Sequence, residues 1–240
     1  MIIDKGDKMA LRTKTGKTVN VRFEVNPKAR RLILRLDERN REAVAVAPSH
    51  KKIGEAAAFA RDRVDWISEH LQALPEQLVL EAGTQFMLRG ELCEISLEGP
   101  GRVPKLEIGP PLVLRVPGDA DTTGKRAERY LRKAAKSDLS DSVIEYCERL
   151  GVEARRVTVK DTRSRWGSCT SDGRLAFSWR VIMAPPSVVL YVAAHECADL
   201  LEMNHSPAFW AHVARCRPNW KTERAWLRQN GRDLHAVMAA

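Results

Sequence analysis

The sequence predicts an α+β protein, strand-rich at first and helical later, on three observations. Short runs before residue 118 alternate apolar and polar residues, the period of a half-buried strand. Beyond residue 119 apolar positions recur at helical spacing over long stretches. Between the two lies Pro117-Gly118-Asp119, a turn-forming triplet that suits a boundary. The expected organisation is a β-rich region with one long helix over residues 1–118, followed by a second domain over residues 119–240. A chain of 240 residues has room for either one large domain or two small ones.

The first strands come from Val19, Val21, Phe23 and Val25, then from Leu32, Leu34 and Leu36, continued by residues 44–47. Their strict alternation suits an antiparallel sheet with one wet face. Pro48 stops the run, and Ser49 is placed to cap a helix over residues 49–74, with Phe59, Val64, Ile67 and Leu71 on its inner stripe. Pro75 ends that helix. Strands follow at 85–88, 92–97, 105–108 and 112–116, separated by Gly- and Pro-rich turns. Residues 121–150 predict one long helix with a solvated basic face. Strands at 155–160 and 174–180 flank a Ser-Asp-Gly turn. Pro185 and Pro186 open a helix to residue 202, and two more helices follow at 207–216 and 221–229.

Composition narrows the class. With 44% hydrophobic and 30% charged residues the chain is globular in type, so disordered and fibrous classes are excluded. Its five cysteines are scattered, and no pair has the CxxC spacing of a redox or zinc-ribbon site. They are expected to be reduced, buried thiols. The start is short and charged and no apolar run has bilayer length, so a cytoplasmic, soluble protein with no membrane partner is expected. The net charge of +9 permits a nucleic-acid partner through a basic surface. Acidic residues are interleaved almost throughout, which favours a solvated mixed surface instead.

The chemistry concentrates at His195-Glu196-Cys197-Ala198-Asp199, on the helix that begins at Pro186. Residues 195 and 199 lie one turn apart and leave the same face, the geometry by which a helix holds one ion between two ligands. Glu196, next to His195, is placed to act as general base on a water at the metal. His205 follows beyond the helix end and can return to the same ion, anchored by Ser206 and Pro207 as cap and first residue of the next helix. His195, Asp199 and His205 would thus give the three protein ligands of a catalytic zinc with an open position, one Zn²⁺ per chain. The usual pattern is HExxH, and an aspartate replaces its second histidine. Its arm is shorter and its charge makes the site less electrophilic, while harder ions such as Mn²⁺ are better tolerated. A surface or capping role for these side chains is the bland alternative. The apolar run 188–194 buries the helix, and buried polar groups need partners.

The segments Asp161-Thr162-Arg163-Ser164-Arg165-Trp166-Gly167-Ser168-Cys169, Phe177-Ser178-Trp179-Arg180, Ala184-Pro185-Pro186, His195-Glu196, Asn204-His205-Ser206-Pro207 and Phe209-Trp210 together resemble the YgjP-like metallopeptidase family. That family groups zinc-dependent hydrolases related to the SprT-like proteases. Arg30-Arg31-Leu32 and Arg63-Val64-Asp65-Trp66-Ile67 extend the likeness over nearly the whole chain. The resemblance implies a zincin-like core over residues 119–240, a small sheet packed on the HExxH-type helix. It implies His195 and His205 as metal ligands, Glu196 as catalytic acid/base, and a protein or peptide substrate. Asp199 stands where the family has histidine. Three readings compete: a working aspartate ligand, a loss that leaves an inactive peptidase-like protein, or a recently introduced change.

In the enzyme reading a metal-activated water cuts a peptide bond with Glu196 as general base. The strand at 174–180 would wall the cleft, with Arg163, Arg165 and Trp166 nearby. Arg165 and Trp166 are the candidate substrate-binding residues, although Trp166 as core and paired arginines would serve equally well. Trp210, Trp220 and Trp226 are expected to be core, and Cys197 to point off the ligand face. The rival class is a non-catalytic module that binds nucleic acid or protein. SprT-like relatives act on DNA-bound proteins, which gives that class its analogy.

Overall fold

Val19, Val21 and Phe23 are buried on one side of a strand whose other side is wet, as their alternation requires. The computed structural model describes residues 4–162 and 164–239. Its chain divides into two compact units, Met1–Pro75 and Glu76–Ala240. In the first, β1 (Lys8–Arg12), β2 (Thr18–Val25), β3 (Ile33–Asp37) and β4 (Glu42–Ala47) form a sheet in the order β1-β2-β4-β3. β1 and β3 pair antiparallel with their neighbours, but β2 and β4 run parallel. The sheet is therefore mixed, not antiparallel as expected. β4 is buried at every residue, and its unbroken Ala-Val run is what a central strand covered on both faces needs.

The single helix expected over residues 49–74 is two, α1 (Ile53–Asp62) and α2 (Val64–Gln72), after a 3-10 turn at His50–Lys52. Arg63 breaks it with φ −110° and ψ 14°. Ile53, Ala56, Ala57 and Ala60 form the buried stripe of α1, and Ile67 is buried on α2; both join Val21, Phe23 and Ala45 in one core. Arg22 bridges Glu42 at 2.7 Å and Asp37 at 3.3 Å, so these buried carboxylates are paired.

The second unit begins with β5 (Leu78–Leu80), then β6 (Gln85–Leu88), β7 (Glu91–Glu98), β8 (Lys105–Glu107) and β9 (Leu112–Pro117). The last four form a sheet in the order β6-β7-β9-β8. Helix α3 (Ala120–Leu150) follows, capped by Asp119 accepting from the Thr122 amide at 2.9 Å and stopped at Gly151, φ 71°. Leu112, Leu114 and Val116 of β9 share one core with Ala127, Leu131 and Ala135 of α3. The boundary expected after residue 118 thus lies inside this unit, because the β6–β9 sheet buries its apolar side in the core that α3 also fills.

A second small sheet joins β10 (Arg156–Lys160), β11 (Gly167–Cys169) and β12 (Arg174–Ser178) in the order β10-β12-β11. A 3-10 helix at Trp179–Met183 leads into α4 (Pro186–Asp199), followed by α5 (Pro207–Cys216), α6 (Trp220–His235) and β13 (Val237–Ala239), which pairs in parallel with β5. The fold is mixed α+β, with small sheets and six α-helices among the described residues. None of these helices is long and apolar enough to cross a membrane.

Candidate metal centre

Helix α4 takes its direction from Pro186 in its first turn and is buried along Val188, Val189, Tyr191, Val192, Ala193 and Ala194. That apolar packing fixes where its last turn, carrying His195, Glu196 and Asp199, comes to rest. The helix ends at Asp199, three residues earlier than its sequence pattern suggests, because residues 200–204 turn back. The turn brings in His205, whose φ of 51° places a non-glycine residue in the left-handed region. The Asn204 side chain accepts from the Ser206 amide at 3.0 Å, and the Ser206 hydroxyl caps α5 by accepting from the Phe209 amide at 3.3 Å. These bonds hold His205 in its strained conformation.

His195 and His205 face each other with their Nε2 atoms 3.2 Å apart. Two nitrogens ligating one zinc tetrahedrally at about 2.0–2.1 Å lie about 3.3 Å from each other. The Asp199 carboxylate stands 3.8 Å from the His205 Nε2, and the ligand atoms of all three residues lie within 4.8 Å of one another. Glu196 Oε2 and Asp199 Oδ1 are buried without a hydrogen-bond partner, as is His195 Nδ1 on the far side of its ring from the facing Nε2. Orphaned buried polar atoms around converging nitrogens suit a cation, so the donor set fits a bound metal ion.

Electrostatics agree. Burial, then the neighbouring His205 and Arg224, lowers the His195 imidazole to about 4. It is therefore neutral near pH 7, with a lone pair free to ligate. Burial and the Asp199 charge push the Glu196 carboxyl up to about 8, against the opposing pull of Arg165. Burial also raises Asp199, with His205 opposing. These carboxyls share a pocket that has too little positive charge of its own.

Glu196 is 4% exposed, and Gly167 on β11 makes room for it. A Cβ at residue 167 would lie 2.3 Å from Glu196 Oε1. Gly167 is the residue that sequence reasoning missed, and its place beside Trp166 in the quoted segment was the available signal. β11 is also an edge strand of its sheet, as is β10, whereas β12 lies between them. The strand expected to wall the cleft therefore has both edges taken, and β11 is the one beside α4.

Arg165 is exposed and close enough for its charge to act on Glu196. Trp166 is half-buried, stacked on His235 with ring centroids 4.1 Å apart and packed against Gly231 of α6. Arg163 lies outside the described residues. Cys197 points away from the ligands, its sulfur 3.9 Å from that of Cys147 in the core. Trp210, Trp220 and Trp226 are partly buried against the core. Trp210 also stands beside the ligands, its ring 5.8 Å from that of His195 and 6.1 Å from that of His205. Tyr191, one turn before His195, packs edge-on to it at 6.0 Å.

No curated protein matches the chain. The metallopeptidase zymogen abylysin of Pyrococcus abyssi is a similar solved structure: 18% identity, 39% of this chain and 92% of that chain covered, TM-score 0.35. The family model described as the YgjP-like metallopeptidase domain matches residues 30–230. With a match over most of its length, this chain belongs to the YgjP-like metallopeptidase family.

Proposed function

We propose that the protein is a zinc-dependent peptidase of zincin-like architecture in which Asp199 serves as a working metal ligand beside His195 and His205. The observation that carries the reading is the facing histidine pair, 3.2 Å apart, with the buried Glu196 adjacent in sequence. When bound, a zinc ion supplies Lewis acidity toward both a water and the scissile carbonyl. His195, His205 and the Asp199 carboxylate would provide the three protein ligands. Glu196 takes a proton from the attacking water as the water oxygen bonds to the carbonyl carbon. It passes that proton to the amine nitrogen as the C–N bond breaks. Beside a cation its carboxyl falls from the high value that burial imposes toward the ionised form a base needs. The free edge of β11 suits pairing with an extended substrate backbone. Arg165 and Trp166, which precede Gly167 on the approach to that edge, are the proposed substrate contacts.

A second reading, a peptidase-like binding protein without turnover, draws on Asp199 standing where the family pattern has histidine. Nucleic acid as its partner gains no support from the structure. Arg22, Arg35, Arg89, Arg132 and Arg149 are all engaged with carboxylates. Proteolysis of a mixed peptide pool by the zinc-loaded protein separates the readings. Cleavage that disappears in Glu196→Gln supports the enzyme. Equal, absent cleavage in both proteins, with zinc retained, favours the binding protein.

A further inference from the structure

Helix α6 carries a feature that the proposed chemistry does not use. Lys221, Arg224, Ala225 and Arg228 follow the i, i+3, i+4, i+7 spacing of one helical face, and with Trp220 and Gln229 they line an open groove. Among the described residues these three cations form no ion pair. The acid nearest to them in sequence, Glu223, is buried and committed to Arg217. Three cations on one helix face with no carboxylate among the residues that line the groove leave a local excess of positive charge that an anionic ligand would relieve.

A run of aromatic contacts links the groove's lining to the metal centre. The Arg224 guanidinium lies over Trp210 at 4.7 Å, and Trp220 stacks on Trp210 at 4.2 Å. Trp210 is in turn 5.8 Å from the His195 ring. The charge of Arg224 acts on both His195 and Tyr191, and that of Arg228 on Tyr191. An extended peptide rises about 3.3 Å per residue, so the separation from Arg224 to His195 by way of Trp210 corresponds to at most about three residues of bound chain.

We propose that this groove binds acidic side chains of the peptide presented to the metal centre, making segments rich in Asp and Glu the preferred substrates. Arg224 supplies a planar donor fixed by its stacking on Trp210, suited to a carboxylate. Lys221 and Arg228 add mobile charge at the rim. The choice of peptide as ligand rests on the peptidase reading; the binding of acidic chains to the groove does not.

The test is fluorescence anisotropy of the zinc-loaded Glu196→Gln protein with a labelled peptide containing four glutamates and with its four-glutamine analogue. The acidic peptide is expected to bind at least tenfold more tightly, and more weakly as salt rises. The double variant Lys221→Gln/Arg228→Gln changes only exposed side chains and is expected to weaken that preference several-fold, leaving what Arg224 supplies. Lys221→Glu/Arg228→Glu is expected to turn it toward a lysine peptide. Equal affinities for the two peptides, a preference unchanged in both double variants, or tighter binding of a single-stranded oligonucleotide at this groove overturns the proposal. Wild-type cleavage of a neutral peptide pool, with no acidic preference, sinks the groove assignment and leaves the peptidase reading standing. Acidic binding at the groove with no cleavage by the wild type does the reverse.

Discussion

Gly167 sets how closely β11 can approach Glu196, since a methyl group there would collide with the carboxylate. Gly167→Ala is expected to cost roughly 1–3 kcal/mol from overpacking and to reduce proteolysis by displacing Glu196; thermal melts and peptide cleavage measured on one preparation check both effects. Glu196→Gln is expected to lower turnover by about 10²–10⁴-fold while leaving zinc content unchanged, as elemental analysis beside the assay would show. His235 is a separate test. Burial and Arg180 lower its imidazole to about 4 against the opposing pull of Asp161, with Trp166 stacked on the ring. Its folded value lies below the unfolded one of about 6.5, so the stability it permits is fully present above pH 6.5. That stability is lost as pH falls toward 4, by up to about 3 kcal/mol. Urea unfolding at pH 7 and pH 4.5 should show His235→Phe losing less on acidification than the wild type; equal losses contradict the account. Two of the proposed ligands were legible in the sequence because helical spacing alone puts 195 and 199 on one face. Gly167 was not legible, since the need for a missing Cβ appears only when β11 is laid against α4.

At the scale of elements, the turn from Asp199 to α5 matters most. It holds His205 at φ 51°, a conformation that costs roughly 1–3 kcal/mol in a non-glycine residue. Ser206→Ala removes the cap of α5, for an expected loss of about 1 kcal/mol, and should loosen zinc more than it lowers the melting temperature. A chelator titration beside a thermal melt checks this, and unchanged zinc retention would argue that the turn positions nothing. The elements themselves were unevenly readable. Long helices such as α3 announced themselves by periodicity and a clear Asp cap. The direction of β2 against β4 could not be read, because alternation reports which face is buried and not which way the neighbouring strand runs. β5 and β13 are three residues each and draw their stability from pairing across the unit, so local pattern carries no trace of them.

At the scale of the whole molecule, two hydrophobic cores with no residue in common underlie the two units. Residues 76–240, which hold the metal group, are therefore expected to fold alone and keep their zinc, as circular dichroism and elemental analysis of that fragment would show. The boundary near residue 118 looked convincing in sequence because Pro-Gly-Asp is a turn wherever it occurs. Whether a turn separates domains depends on which core its flanking elements fill, and β9 and α3 fill the same one. The central claim is that His195, Asp199 and His205 together hold one metal ion, and the most direct measurement is the zinc content of the purified protein beside its Asp199→His and His205→Ala variants. About one zinc per chain is predicted in the wild type and in Asp199→His, with most of it lost in His205→Ala. A metal-free wild type beside a zinc-loaded Asp199→His would contradict the claim, because Asp199 would then be the residue that abolished the site.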